Sequence, residues 1–465
     1  MDAKKEKELF EDSPVRAAIF RLAFPAVISQ IILVVYNMAD TFFVGLVGSD
    51  ATLTAVTVCM PALMFLSAIS NLFGVGGASV ISRALGSGDS ERVGRASSFA
   101  LYGCLATTLF YSGLAFLLRD SFADALGGVN PAVHKSAVAY LVCTVAIGGA
   151  AASCGMLFSH LIRSEGRSLQ AGIGISLGGV LNIVLDPFFI FVVMPKGMEA
   201  LGAAIATALS NLVSLLYFIA VLRRIRKETL LRFRYSKRIF DSHVPRAVIS
   251  AGLPACIMTL FENISYAVLD KLMSAHGLAM QAGIGVAKKI NMLAHCVVRG
   301  IAQGSLPLIG YNFSSGNRER MRDSVRLARR AAIVISTACM AINLIFARPL
   351  ISVFIHQDSP SLALGAAFLR ILCIGGPFSA GAYIYISFFQ ATGEGSKSFL
   401  LAIMRKGIVD IPLMFLLGAF WPVYGIVTAT PVADAICCLI ANVLFAAYIK
   451  RLSSERHGVE AMHDL

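Results

Sequence analysis

Residues 24–48, FPAVISQIILVVYNMADTFFVGLVG, and residues 253–277, LPACIMTLFENISYAVLDKLMSAHG, follow one pattern. In each, an apolar residue, a proline and an alanine open a mostly apolar run that glycine closes, and the two runs lie 229 residues apart. A stretch of about 20 apolar residues crosses the hydrocarbon core of a bilayer. Read as membrane spans, the two segments are corresponding helices of a duplicated chain. Similar runs place spans near 19–47, 52–80, 97–118, 136–158, 168–194, 199–222, 247–273, 280–310, 329–354, 361–390, 397–420 and 425–449.

Further pairs carry the duplication through the chain. Glu165-Gly166 matches Glu394-Gly395 at the same shift of 229, and GAAIATALSN from Gly202 matches GIVTATPVAD from Gly425. The loops SRALGSGD (82–89) and YNFSSGN (311–317) also correspond. A self-similarity of this length is the mark of repeat architecture. The expected domains are a first lobe at 1–222, a basic linker at 223–246 and a second lobe at 247–465. Each lobe holds six spans. Six is even, so both lobes enter from one side, and parallel repeats of that kind leave a cleft that rocking exposes to each face in turn.

Composition agrees with a polytopic membrane protein. Of the 465 residues, 57% are hydrophobic and 14% charged, with a mean hydropathy of +0.75; soluble domains carry roughly 25% charged residues. The net charge of +13 raises the question of nucleic acid, but the basic residues are not spread as a nucleic-acid footprint would be. They gather in the even-numbered connections and the two tails, with only Arg119, Lys135, Lys196, Lys271 and Arg348 on the opposite side. That asymmetry is the positive-inside rule, and it places both termini in the cytoplasm. The basic stretch from Arg223 to Arg246 is then a loop that also meets anionic lipid heads. The ten cysteines fall inside spans and form no CxxC pair, so they are expected as small buried apolar side chains. The segment MDAKKEKELFEDSP is too charged for a signal sequence.

Ionisable residues inside a bilayer are functional candidates by default. In the first half Asp40 (VVYNMADTFFVG) and Asp186 (LNIVLDPFFIF) stand deep in apolar sequence, with no Lys, Arg or His at comparable depth. What remains to neutralise them is a bound proton or a bound cation. Asn182 and Asp186 stand four residues apart on one helix face, and Pro187 removes a backbone donor beside the acid. Tyr36 and Asn37 are polar neighbours. In the second half Glu262, Asp270, Asp410 and Asp434 are accompanied by Lys288, Lys289, Arg299, Arg370, Arg405 and Lys406. Lys406 and Asp410 can neutralise each other at i,i+4. Asp270 sits beside Lys271 near a span end, where snorkelling makes it cheap. Glu262 and Asp434 are open between a substrate or cation site and partnership with one of the basic groups. No catalytic motif and no metal-ligand spacing is present, so the chain is read as no enzyme and as needing no cofactor beyond a coupling ion.

These features together resemble the multidrug and toxic compound extrusion (MATE) family over about residues 15–450. The carriers are the six-plus-six repeat, Pro25…Asp40, SRALGSGD, NIVLDPFFIF, GIAQGSLPLIGYNFSSGN from Gly300 and FFQATGEG. The resemblance implies an all-α integral membrane fold of 12 transmembrane helices, in two six-helix lobes forming a V-shaped cleft. It implies efflux of amphipathic, often cationic, compounds driven by inward H⁺ or Na⁺. The family's first-lobe cation site carries onto Asp40, Asn182 and Asp186, where Na⁺ is a candidate metal. Its other branch uses a seventh-span glutamate, matched by Glu262, and a tenth-span acid that Arg370 to Gln390 lacks. The expected partners are small amphipathic substrates and membrane lipids, with the chain acting as a monomer in the plasma membrane. A flippase for lipid-linked oligosaccharides is the alternative, with Arg299, Arg370, Lys288 and Lys289 as a basic cradle.

Overall fold

The computed structural model describes residues 8–127, 130–240, 243–355 and 359–463, and among these every regular element is helical. The first three helices are α1 (Val15–Leu46), α2 (Asp50–Gly86) and α3 (Ser90–Leu117). A short α4 (Arg119–Ala125) precedes α5 (Pro131–Leu141) and α6 (Gly149–Ser164), which are joined through a π-helical turn at Val142–Ile147 and bent by 47°. Next come α7 (Ser168–Phe188), continued by π-helical Phe189–Val193, and α8 (Glu199–Arg224). The second half runs α9 (His243–Ser274), α10 (Leu278–Ser314), α11 (Arg318–Ser352), then α12 (Pro360–Ile374) and α13 (Gly376–Thr392), bent by 42°. Last are α14 (Gly395–Ile403), π-helical Met404–Ile408, α15 (Asp410–Phe420) and α16 (Tyr424–His463).

Nine helices among the described residues are long and apolar enough to cross a membrane, and the two bent pairs bring the number to eleven. The twelfth expected span, 397–420, corresponds to α14 through α15, where Arg405 and Lys406 interrupt the apolar run and the backbone widens into a π-turn. Large apolar side chains such as Phe110, Leu117, Val192 and Phe420 keep most of their surface exposed, as lipid-facing residues do. This is a multi-pass membrane protein.

The duplication is visible in the turns. Gly88 (φ +74°) ends α2 and Asp89 accepts the Arg92 N–H at 2.9 Å; Gly316 (φ +82°) ends α10's turn and Asn317 accepts the Arg320 N–H at 3.1 Å. A left-handed glycine followed by an N-cap with an oxygen side chain stops one helix and starts the next. One expected match slips. Gly166 takes φ +82° in the turn before α7, but the left-handed glycine in the turn before α14 is Gly393, also +82°, whereas Gly395 opens α14. The shared Glu-Gly letters therefore align two residues away from the shared backbone turn.

Packing divides the chain into two compact units that are discontinuous in sequence. The first comprises residues 1–264, 296–328 and 390–395; the second comprises 265–295, 329–389 and 396–465. The first has a core around Leu66, Phe73 and Ile81 of α2, Phe99 of α3, Tyr140 of α5 and Leu157 and Leu161 of α6. The second is built on Met273, Ile284, Phe368, Leu369, Met414 and Ile426. Within the first unit, Gly300 and Gly304 of α10 lie so close to Val27 and Ala23 of α1 that a Cβ on either would come within 2.4 Å of backbone atoms. This is the small-xxx-small contact by which membrane helices approach closely. No disulfide forms among the described residues, and Cys59, Cys104, Cys154, Cys296, Cys373, Cys437 and Cys438 are buried.

Candidate functional site

Two small residues set the register of the site. Gly172 and Gly179 of α7 abut Pro25 and Ile32 of α1, so the helices run the same way with matching steps of seven residues. One further step brings Asp186 level with Ala39 and Asp40. Both acids and Asn182 are buried, with exposures of 0% for Asp186, 5% for Asp40 and 2% for Asn182. The carboxylates are close enough to interact electrostatically, and Tyr36 and Tyr140 lie within the same field. The three predicted first-lobe residues are thus brought together.

Asn182 Nδ2 donates to Asp186 Oδ1 at 3.2 Å and to Thr207 Oγ1 of α8 at 3.3 Å. Asn182 Oδ1 and Asp186 Oδ2 are buried acceptors with no hydrogen-bond donor among the described residues. An orphaned buried acceptor costs about 1–3 kcal/mol, more when charged. The donor set here is oxygen throughout: two carboxylates, an amide and a hydroxyl. Such a set suits a proton or a hard cation rather than a thiophilic metal, and no group of three His, Cys, Asp or Glu converges among the described residues. Asn37 Nδ2 donates to Leu33 O of its own helix at 2.6 Å, and the Asn37 side chain also hydrogen-bonds Tyr36, at the edge of the site. Thr207 and Tyr140 went unread in the sequence. Thr207 is one hydroxyl in the small-residue stretch GAAIATALSN, and nothing in the sequence around Tyr140 marks it.

Two basic side chains of the first half lie beyond the expected span 136–158 and are nevertheless buried. α6 runs on to Ser164 and buries His160 and Arg163 in its last turns. Arg163 Nη1 donates to Gln303 Oε1 at 3.3 Å, and Gln303 Oε1 also accepts from Gln30 Nε2 at 3.2 Å. A glutamine from the Gly300–Gly304 contact therefore ties α10 to α1 and α6.

The four acids singled out in the second half, Glu262, Asp270, Asp410 and Asp434, each have a basic partner. Glu262, in the first unit, holds the Arg299 guanidinium at 2.5 Å. Asp434, in the second unit, holds Arg405 at 2.9 Å with both side chains buried. These two candidates thus sit in separate compact units. Lys406 pairs with Asp410 at 3.2 Å, as the spacing predicted, and Asp410 also accepts from Ser265 at 2.6 Å and Thr430 at 3.0 Å. Asp270 pairs with Lys288 rather than with its neighbour Lys271. Arg405 Nη2 reaches Ser379 Oγ at 2.9 Å, which lies 3.3 Å from His295 Nδ1, so the second unit holds a continuous buried polar network.

One known family model, MatE, matches residues 25–188 and 254–416. The chain belongs to the MatE family. The two matched stretches fall on the two repeats, and MatE proteins are membrane transporters. Among relatives, this MatE chain is 26% identical over 454 residues to the multidrug export protein MepA of Staphylococcus saprophyticus, covering 97% of this chain and 98% of the relative. It is 26% identical over 455 residues to MepA of Staphylococcus aureus, with the same coverage. Among solved structures, an outward-facing multidrug resistance MATE family transporter of the MOP superfamily superposes with a TM-score of 0.89, at 25% identity over 97% of this chain and 99% of that one.

Proposed function

We propose that this MatE protein is a cation-coupled antiporter that exports amphipathic, often cationic, compounds by alternating access. In this reading Asp40, Asn182 and Asp186 hold the coupling ion, H⁺ or Na⁺. The observation that carries the proposal is the pair of buried acceptors, Asn182 Oδ1 and Asp186 Oδ2, without donors among the described residues and beside a second buried carboxylate. Two neighbouring carboxylates in a low-dielectric interior repel when both are ionised, and a proton or a monovalent cation relieves them. An ion that binds one conformation more tightly shifts the equilibrium only by that difference in affinity. Entry of the ion at the first-lobe acids disfavours substrate, which leaves outward; release inward resets the carrier. The relatives' multidrug export supports the substrate class. The basic asymmetry of the connections supports cytoplasmic termini in a plasma membrane, with the chain acting as a monomer and using no catalytic chemistry.

The flippase alternative needs exposed basic groups for a pyrophosphate. Arg299 and Lys288, two of its four candidates, are engaged by Glu262 and Asp270, which favours the antiporter.

Ethidium efflux from proteoliposomes, under separately imposed proton and sodium gradients, tests the proposal. The wild type is expected to respond to one gradient, with Asp40→Asn and Asp186→Asn inserting normally but losing the response. Undiminished gradient-driven efflux in both variants would sink the assignment.

A further inference from the structure

The linker after α8 builds a cavity of about 610 Å³ in the first unit. Its interior is apolar, formed by Leu101 of α3, Phe158 of α6, Ile219 and Leu222 from the last turns of α8, and Leu231 and Phe233 of the linker. Arg223, Arg226, Arg232 and Arg234 also line it, and their side chains are exposed. None of the four forms an ion pair or a side-chain hydrogen bond among the described residues. The nearest acid in the same loop, Glu228, is already held by Arg167 at 3.0 Å.

The cavity is framed by fixed elements. Glu165 accepts from the Thr229 hydroxyl at 2.6 Å and from the Leu230 N–H at 2.9 Å. The Arg232 carbonyl accepts from Ser97 at 2.8 Å and Ser98 at 2.7 Å, and the Arg232 N–H donates to Ser97 Oγ at 3.0 Å. Tyr102 donates to the Phe233 carbonyl at 3.2 Å, and Phe233 packs edge-on against Phe158. The stem of Arg232 crosses α3 over Gly94, where a Cβ would crowd it. The backbone is thereby pinned while the four guanidinium groups stay available.

We infer that this cavity binds an anionic phospholipid, with its phosphate at the arginine rim and the start of an acyl chain between Phe158, Leu101 and Ile219. The end of a membrane span is where lipid headgroups lie, and polybasic segments there attract anionic lipid. A volume in the range of about 300–1,000 Å³ found for small-molecule sites holds a headgroup and part of a chain; the rest of the lipid stays in the bilayer. The carbonyl end of α8 contributes roughly half a negative charge, which four guanidinium groups outweigh. A soluble anion would gain nothing from the apolar interior, so the lipid is the better fit.

The test is lipid retention by the full-length protein, purified from nanodiscs of mixed phosphatidylglycerol and phosphatidylcholine and read by native mass spectrometry. The wild type is expected to keep phosphatidylglycerol, less of it at high salt, and glycerol 1-phosphate is expected not to displace it. Replacing the four arginines together (Arg223→Gln, Arg226→Gln, Arg232→Gln, Arg234→Gln) is expected to lower retention about tenfold or more. The melting temperature should stay unchanged, because the pinning bonds are made by the backbone. Should that variant melt early, the wild type alone decides: no preference for phosphatidylglycerol over phosphatidylcholine, or no response to salt, overturns the inference. Equal retention by a stably folded variant overturns it too, and displacement by glycerol 1-phosphate makes this a free-phosphate site instead. Because the readout is binding, its failure leaves the efflux test standing, and the reverse holds.

Discussion

At the residue scale, the charged side chains divide by how they are satisfied. Asp434 and Arg405 are both buried and bonded at 2.9 Å, a pair whose desolvation is tolerable only while both members are present. Asp434→Asn is expected to destabilise the protein by about 3–5 kcal/mol, read as a fall in thermal stability in detergent. The double replacement Arg405→Met with Asp434→Leu is expected to recover most of that loss. If the double variant is no better than the single one, the pair is not the reason those charges are held there. Asp186 and Asn182 behave differently, since each keeps a buried oxygen without a donor among the described residues. Their presence was legible from sequence, because an acid in an apolar run is conspicuous and i,i+4 spacing fixes a shared face. The partners of Glu262 and Asp434 were not legible, because six basic residues spread over three helical elements offered equivalent letters and only packing chose Arg299 and Arg405.

At the element scale, the turn between α6 and α7 anchors the linker through Glu165. Burial pushes the Glu165 carboxyl up from its ordinary value, against the opposing effect of its bonds to Thr229 and Leu230. A folded-state pKa above the unfolded one means that the folded protein binds the proton more tightly. Stability from this group is therefore fully present below the unfolded pKa and declines as pH rises through the folded pKa. Glu165→Gln, which keeps a hydrogen-bonding amide without the charge, is expected to gain stability relative to wild type as pH rises from acid to neutral. Glu165→Ala, which leaves the Leu230 N–H without its acceptor, is expected to lose about 1–3 kcal/mol. Melting temperatures across that pH range check both; a Glu165→Gln difference that does not change with pH would show that the carboxyl carries no such cost. The same turn shows the limit of letter matching, since Gly166 corresponds in backbone to Gly393 rather than to the Gly395 of the matching Glu-Gly pair.

At the scale of the whole molecule, the compact units cut through helices. α9 divides after Ile264, α10 after His295, α11 after Ala328 and α13 after Phe389. Cooperative opening follows packing rather than the helical ladder. Hydrogen exchange with and without a transported cation is accordingly expected to change stepwise along α10, with a break near His295–Cys296. A uniform response along the whole helix would show that the helix, not the packing unit, is the cooperative element.

The amino-acid sequence alone determined the membrane-spanning helical class, the duplication and the first-lobe acids. Hydropathy, repeat period and an out-of-place charge are properties of letters and their spacing, and the bilayer enforces them on any fold. Only the tertiary structure decided that Thr207 joins Asn182, that His160 and Arg163 are buried, that Glu262, Asp270 and Asp434 are held by Arg299, Lys288 and Arg405, and that the linker lines an apolar cavity. Each of those depends on which faces of different helices meet. That is set by close approaches, such as Gly172 on Pro25 and Gly300 on Val27, which bring together residues far apart in the chain and leave no local signal.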